Sequence, residues 1–408
     1  MLRRVITLLV AVLLLAGLTS APANAAYIAS PTFNVPVSPK VSERAALPRK
    51  IIWAINNTPR GGTIRIASYS FDRKDVADAL IDAYHRRVNV QIVLNDNWTS
   101  TQTLRLRKAL GSGPSNPSFV RICEGNCRGS GAGNLHIKVY LFSQAGSNQR
   151  LMYFGSANMT DRAVQLQWND LVTLRNAPEL YMETVKVFNQ LKYDRPASPE
   201  WIYFDQEPGM TAQYYRTAEG QQPRVYTRTP SASEDPVMNR LKAVDCTAPA
   251  GYGINGHTAI RIMMYGWNGD RGVWLANQVA ELEHQGCDIK VITSVAGGQV
   301  IKILRDAGVP VRSADYKYIT NADGTKTVDF YSHLKVMALS GTYNRAPAKV
   351  VWTGSENWSG LSFMNDELTV GMWDANAVQT YFDRFAYMNQ KYTHRFGIYP
   401  TTKPAYVG

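Results

Sequence analysis

Between Asn134 and Asn158 the chain carries His136-Ile137-Lys138 and then Gly155-Ser156-Ala157-Asn158. The same elements return as His333-Leu334-Lys335 and Gly354-Ser355-Glu356-Asn357. An acidic residue closes each set, Asp170 in the first and Glu367 in the second, and both stand 34 residues after their histidine. The two sets are 197 residues apart at the histidine and again at the acid. Upstream, Ile260-Arg261-Ile262 repeats Ile64-Arg65-Ile66, and Tyr265 stands where Tyr69 does, at an offset of 196. A register held over that distance marks a tandem duplication. The chain must therefore fold as two similar halves, and the recurring polar residues must act in pairs.

Apolar patterning around the motifs reads as α/β. A helix is expected over Pro48–Asn57, a strand over Ile64–Phe71, a helix over Lys74–His85 with Val76, Ala79, Leu80 and Ala83 on one face, and a strand over Val88–Leu94. The second half repeats this with a helix over Val273–Glu283 and a strand over Cys287–Ile292. HIKVYLF and HLKVMAL read as short buried strands, followed by strands at Leu151–Gly155 and Val350–Gly354. Helices over Glu179–Leu191 and Ala375–Tyr392 close the halves. Parallel βαβ connections imply sheets covered on both faces. The expectation is a tandem duplicated α/β fold with two mixed or parallel sheets flanked by helices and one active site at the interface of the repeats. The repeats span 46–200 and 246–400, after an extended leader at 26–45 and around a polar connecting segment at 201–245 that contains Pro208, Pro223, Pro230 and Pro236.

Residues 1–25 read as an export signal: Arg3 and Arg4, an apolar run from Val5 to Leu18, and a small-residue cleavage site at Ala23-Asn24-Ala25. Secretion to the extracellular side is the expectation. Removing the signal lowers the formal charge from +12 to +10, an excess that favours anionic partners. A hydrophobic content of 45% with 19% charged residues excludes a disordered chain. Export makes disulfides permissible. Four cysteines allow three pairings, and pairing within each half, Cys123 with Cys127 and Cys246 with Cys287, is the favoured one.

Residues i and i+2 of a strand point to one face, so His136 and Lys138 project together, as do His333 and Lys335. Histidine can attack phosphorus or carry a proton near neutral pH. Lysine neutralises phosphate oxygens, and Asn158 or Asn357 offers amide donors to them. A carboxylate on a following strand, Asp170 or Glu367, can accept the other imidazole N–H and fix the tautomer. Two such sets around one phosphate form a double-displacement site that needs no metal and no cofactor. Ser156 and Ser355 in the turns, and Trp98 beyond the strand that ends at Leu94, are candidate substrate contacts.

Both sets resemble the HKD motif of the phospholipase D superfamily: His-x-Lys, four residues, Asp, then Gly-Ser-x-Asn and a later acid. The likeness covers about residues 46–200 and 240–395. It departs at the motif Asp, where Ser143 and Ser340 stand. The resemblance implies His136 as nucleophile and His333 as the acid that protonates the leaving alkoxide. It implies a secreted phosphodiesterase that hydrolyses or exchanges phospholipid headgroups through a phosphohistidine. Trp98, Tyr316 and Tyr318 suit contact with a membrane surface. A secreted endonuclease on the same site, with nucleic acid as substrate, is the alternative among enzymes. A non-catalytic binder of anionic polymers is the alternative outside them. A chain carrying both motif copies is expected to act as a monomer.

Overall fold

The computed structural model describes residues 27–129, 133–215 and 230–407, so the export signal expected at residues 1–25 lies outside the described residues. Each half forms a sheet of the same order. In the first it runs Asp170–Arg175, Asn148–Gly155, Val139–Ala145, Thr63–Ser68, Asn89–Asn95, Phe119–Cys123. In the second it runs Glu367–Met372, Ala346–Gly354, Lys335–Tyr343, Ala259–Trp267, Asp288–Ala296, Val311–Ser313. Within each sheet the βαβ strands pair in parallel and the motif strands pair antiparallel. The sheets are mixed because the motif strands run as a hairpin.

Alternation along the strands distributes the core. Tyr140 and Phe142 face an outer cluster with Val76, Leu80 and Ala83 of the helix Lys74–His85. Val139 and Leu141 face a central cluster that also takes in Val336, Ala338 and Val351 of the second sheet. The two sheets thus share one buried layer, which also takes in the helices Pro178–Leu191 and Ala375–Lys391, while Lys74–His85 and Gly269–His284 lie in the outer clusters. Local chemistry ends the elements: Ser100 caps Thr101–Leu110 by accepting the Thr103 N–H, and Asp374 caps Ala375–Lys391 by accepting those of Asn376 and Ala377. The cysteines pair within each half, Cys123–Cys127 and Cys246–Cys287. Among the described residues no helix is long and apolar enough to cross a membrane.

The leader and the connector are more than linkers. Ile28–Phe33 pairs antiparallel with the acid strand of the first half, setting Phe33 opposite Asp170. Met210–Tyr215 does the same in the second, setting Tyr215 opposite Glu367. Ile28–Phe33 is the edge of its sheet, whereas Met210–Tyr215 pairs on its other side with Trp201–Phe204 and turns Met210, Ala212 and Tyr214 into the core.

The motif tripeptides also differ from expectation. His136, Ile137 and Lys138 lie just before the strand Val139–Ala145, and His333 lies just before Lys335–Tyr343. Their amides serve the other repeat instead: His136 and Ile137 both donate to Asp366 O, and His333 donates to Trp168 O. Tyr316 and Tyr318, expected to suit contact with a membrane surface, belong to a hairpin of Asp315–Thr320 and Lys326–Ser332. Its second strand pairs in parallel with Gln167–Trp168 of the first half.

The second Gly-Ser-x-Asn turn is locked from behind. Arg271, with no exposed side-chain surface, donates to both oxygens of Asp235 at 2.9 Å and to Glu356 within that turn. Removing one partner of a buried ion pair strands the other charges, so Arg271→Met is expected to cost about 3–5 kcal/mol of stability in chemical denaturation. A loss no larger than that of a surface substitution would show the cluster to be dispensable.

Candidate active site

The two Gly-Ser-x-Asn turns follow Asn148–Gly155 and Ala346–Gly354, hard against the acid strands. A Cβ on Gly155 would lie 2.6 Å from Asp170 O, and one on Gly354 would overlap Leu368 O. Only glycine allows that approach. It brings Glu367 of the second repeat beside His136 of the first.

Nδ1 of His136 donates to the two carboxylate oxygens of Glu367 at 2.9 and 3.0 Å. Glu367 also accepts the Ser355 hydroxyl and the Asn365 amide at 3.0 Å. The first-half acid behaves differently, and this corrects the sequence reading. Asp170 touches neither imidazole: it accepts the Ser156 N–H at 2.9 Å, the Thr353 hydroxyl at 2.7 Å and the Tyr381 hydroxyl at 2.6 Å. One methylene shorter than Glu367, it is absorbed by these donors. Nδ1 of His333 instead meets Asn169 Oδ1 at 3.0 Å and Ser156 O at 3.1 Å.

Ser156 and Ser355 are buried and turned toward their own acid strands, not toward a substrate. The Ser156 hydroxyl donates to Asn169 Oδ1 and accepts the Asp170 N–H, and the Ser355 hydroxyl accepts the Leu368 N–H besides donating to Glu367. Lys138 and Lys335 fold back to donate to His136 O and His333 O, the second at 2.7 Å. Tyr69 flanks His136 and Tyr265 flanks His333, with ring centroids 5.5 and 4.8 Å apart. Lys138 and Lys335 lie 5.5 and 4.7 Å from the same two tyrosine rings. Asn357 Oδ1 accepts the Gly266 N–H at 3.2 Å, whereas buried Asn158 Oδ1 has no partner among the described residues. Ser143 and Ser340 stand far along their strands, where each accepts one backbone amide, Thr63 N–H and Gly253 N–H. The departure from the family motif therefore touches none of the site residues. Trp98 is exposed, on the short 3-10 turn Asp96–Trp98.

Four basic groups crowd a nearly closed space. Burial, then the two lysines, lowers His136 to about 4 against the opposing pull of Glu367. Burial lowers Lys138 to about 7, again opposed by Glu367. Burial, Lys335, Lys138 and His136 press His333 well below its ordinary value, and a backbone carbonyl is the main opposition. Lys335 is likewise lowered by burial and by Lys138. Glu367 titrates below the ordinary carboxylate range: burial works against this, but His136 and Lys138 outweigh it. An anion bound among these groups would raise every one of the basic pKa values.

Asn169, Tyr69 and Tyr265 were not singled out as site residues from the sequence. The recurrence of tyrosine at matching places was visible, but nothing in it indicated contact with the histidines.

Residues 51–192 match the family model described as "Cardiolipin synthase, PLD-like domain". No curated protein matches the sequence significantly. Among solved structures, phosphatidylserine synthase of Haemophilus influenzae is similar at 11% identity and a TM-score of 0.56, with 91% of this chain and 89% of that chain covered. Polyphosphate kinase of Porphyromonas gingivalis is similar at 11% identity and a TM-score of 0.56, covering 92% of this chain; the chain spans 53% of that kinase. At such identity these likenesses show the fold. Residues 51–192 form a phospholipase D-like domain, and the chain as a whole has a tandem phospholipase D-like fold.

The electrostatics carry a pH prediction. A histidine that must be protonated to act is harder to charge in the free site than with an anionic diester bound. The alkaline limb of kcat, which reports the complex, is therefore expected at higher pH than that of kcat/KM, which reports the free enzyme. Parallel pH profiles on one soluble diester measure both, and coincident limbs would contradict the charge argument.

Proposed function

We propose that this chain is an exported phosphodiesterase of the phospholipase D type that transfers the phosphoryl group of a phospholipid to water or to another alcohol by way of a phosphohistidine. The observation that carries the reading is the convergence of two His-Lys pairs from different repeats, with His136 backed by the Glu367 carboxylate. In the first step Nε2 of His136 attacks phosphorus, the bond to the leaving oxygen breaks, and His333 gives that oxygen a proton. In the second, water surrenders a proton to His333 and attacks phosphorus, and the P–N bond breaks with its electron pair returning to His136. Lys138, Lys335 and the two asparagine amides hold the non-bridging oxygens throughout.

A lipid substrate is supported by the surroundings. Trp98, Ile319 and Leu361 are 61%, 50% and 50% exposed: Trp98 stands three residues after the strand Asn89–Asn95, Ile319 within the hairpin whose second strand leads into His333, and Leu361 four residues after Asn357. Apolar residues around a basic site suit insertion at a lipid–water boundary. The family description matched by residues 51–192 names cardiolipin synthase, and cardiolipin is a phospholipid.

The test uses the secreted chain on phosphatidylcholine and phosphatidylglycerol vesicles and on single- and double-stranded DNA. Release of headgroup with intact DNA is expected; DNA cleavage without headgroup release would replace this reading with that of a nuclease. Trp98→Ala is expected to slow turnover on vesicles while leaving a soluble diester unaffected.

The histidine roles are separable. His136→Ala is expected to abolish both turnover and covalent label. His333→Ala is expected to lose about 10²–10⁴-fold on an alkoxide leaving group but far less on p-nitrophenolate, with label accumulating on His136. Label trapped on His333 alone would reverse the assignment. EDTA is expected to leave turnover of a soluble diester unchanged, since the lysines supply the positive charge; loss with rescue by a divalent cation would refute that mechanism.

A further inference from the structure

His333 is held by two acceptors that carry no charge. Asn169 Oδ1 lies 3.0 Å and Ser156 O 3.1 Å from its Nδ1. A backbone carbonyl can only accept, so Nδ1 must carry the proton and Nε2 presents its lone pair to the site. The orientation of the Asn169 amide is itself determined by its neighbours. Its Nδ2 faces Ala163 O at 3.3 Å, and its Oδ1 accepts the Ser156 hydroxyl at 3.2 Å, so a flipped amide would set NH₂ against two donors. The backbone beneath is pinned as well: Asn34 Oδ1 accepts the Asn169 N–H at 2.7 Å, and Asn34 Nδ2 donates to Ala163 O and Gln167 O. Arg384, from the last helix, donates to Asn34 O at 2.7 Å.

We propose that Asn169, and not Asp170, is the positioning residue for His333, and that its neutral amide makes the two histidines unequal, one backed by a carboxylate and the other by an amide. The proposal rests on the phosphodiesterase reading for its consequence in catalysis, but the geometry stands without it. Matching positions show how the difference arises. Asn169 corresponds to Asp366 and Asp170 to Glu367 at the repeat offset of 197. In the second half the longer Glu367 reaches the imidazole. In the first, Asp170 is occupied by Thr353, Tyr381 and the Ser156 amide, and the preceding residue makes the contact.

The inequality suits two different tasks. His136, as nucleophile, gains positive charge as the P–N bond forms, and Glu367 is in contact to stabilise it. His333 must hold a proton only while the diester is bound and then release it to the leaving oxygen. A carboxylate partner would hold that proton too firmly; an amide orients the ring without doing so. The other titratable groups facing His333 are Lys335 from the strand that follows it, Lys138 and His136 from the first half, Tyr265 from Ala259–Trp267 and Tyr331 from the hairpin. None of these is a carboxylate.

The test reads the imidazoles directly. In the full chain labelled with ¹⁵N-histidine, NMR titration is expected to show His333 as the Nδ1–H tautomer, and an Nε2–H tautomer in the wild type would overturn the proposal without any variant. Asn169→Asp is nearly isosteric and puts a carboxylate where the amide was. It is expected to raise the pKa of His333 by about 1–3 units, the range for an opposite charge in contact. The alkaline limb of kcat should move up in the same direction, with a lower plateau rate. Asp170→Asn should produce no such rise. An unmoved His333 in Asn169→Asp, or an equal rise in Asp170→Asn, would overturn the assignment. Absence of phosphodiesterase activity in the wild type would instead sink the functional reading, and the NMR result would still decide the role of Asn169.

Discussion

Each repeat holds the other's histidine, and the site exists only because of that exchange. The amides of His136 and Ile137 rest on Asp366 O, and the ring of His136 rests on Glu367. The amide of His333 rests on Trp168 O, and its ring on Asn169 and Ser156. Neither half could orient its own imidazole if separated from its partner. The shared apolar layer between the sheets, which contains Leu135, Ile137 and Leu334, therefore does more than stabilise: it sets the register of the polar contacts above it. Close packing makes that register stiff.

Within this frame the charge balance is deliberately uneven. Two lysines and two histidines share the cleft with one carboxylate in direct contact, Glu367, while Asp170 is taken up by hydroxyls and an amide behind the first turn. Burial of so many basic groups disfavours their charged forms until an anion arrives. Under the function proposed above, a bound phosphodiester supplies the negative charge that favours their charged forms.

The edges of the molecule serve the centre. Ile28–Phe33 shields the strand that bears Asp170, and its extension at Asn34 anchors the loop that positions His333. Met210–Tyr215 shields the strand of Glu367. The hairpin of Asp315–Thr320 and Lys326–Ser332 binds across the repeats through Gln167–Trp168 and brings Tyr331 onto the face of Tyr265, 4.8 Å between centroids, beside His333. Segments that carry no motif thus determine the surroundings of the residues that do.

Duplication, α/β class, the helix Lys74–His85 and the recurring His, Lys and Asn of the two motifs were legible in the sequence, because periodicity and exact recurrence are local or near-local signals. The pairing of Ile28–Phe33 and Met210–Tyr215 was not, since each takes its place beside a strand far along the chain. The partner of each histidine was not legible either. Spacing put an acid 34 residues after both histidines, yet side-chain length and competing donors let Glu367 reach an imidazole and kept Asp170 from doing so. Sequence by itself determined which chemistry-bearing residues recur in both repeats; only the tertiary structure decided how two nearly identical motifs became unequal, because hydrogen-bond partners are chosen by three-dimensional proximity and not by order along the chain.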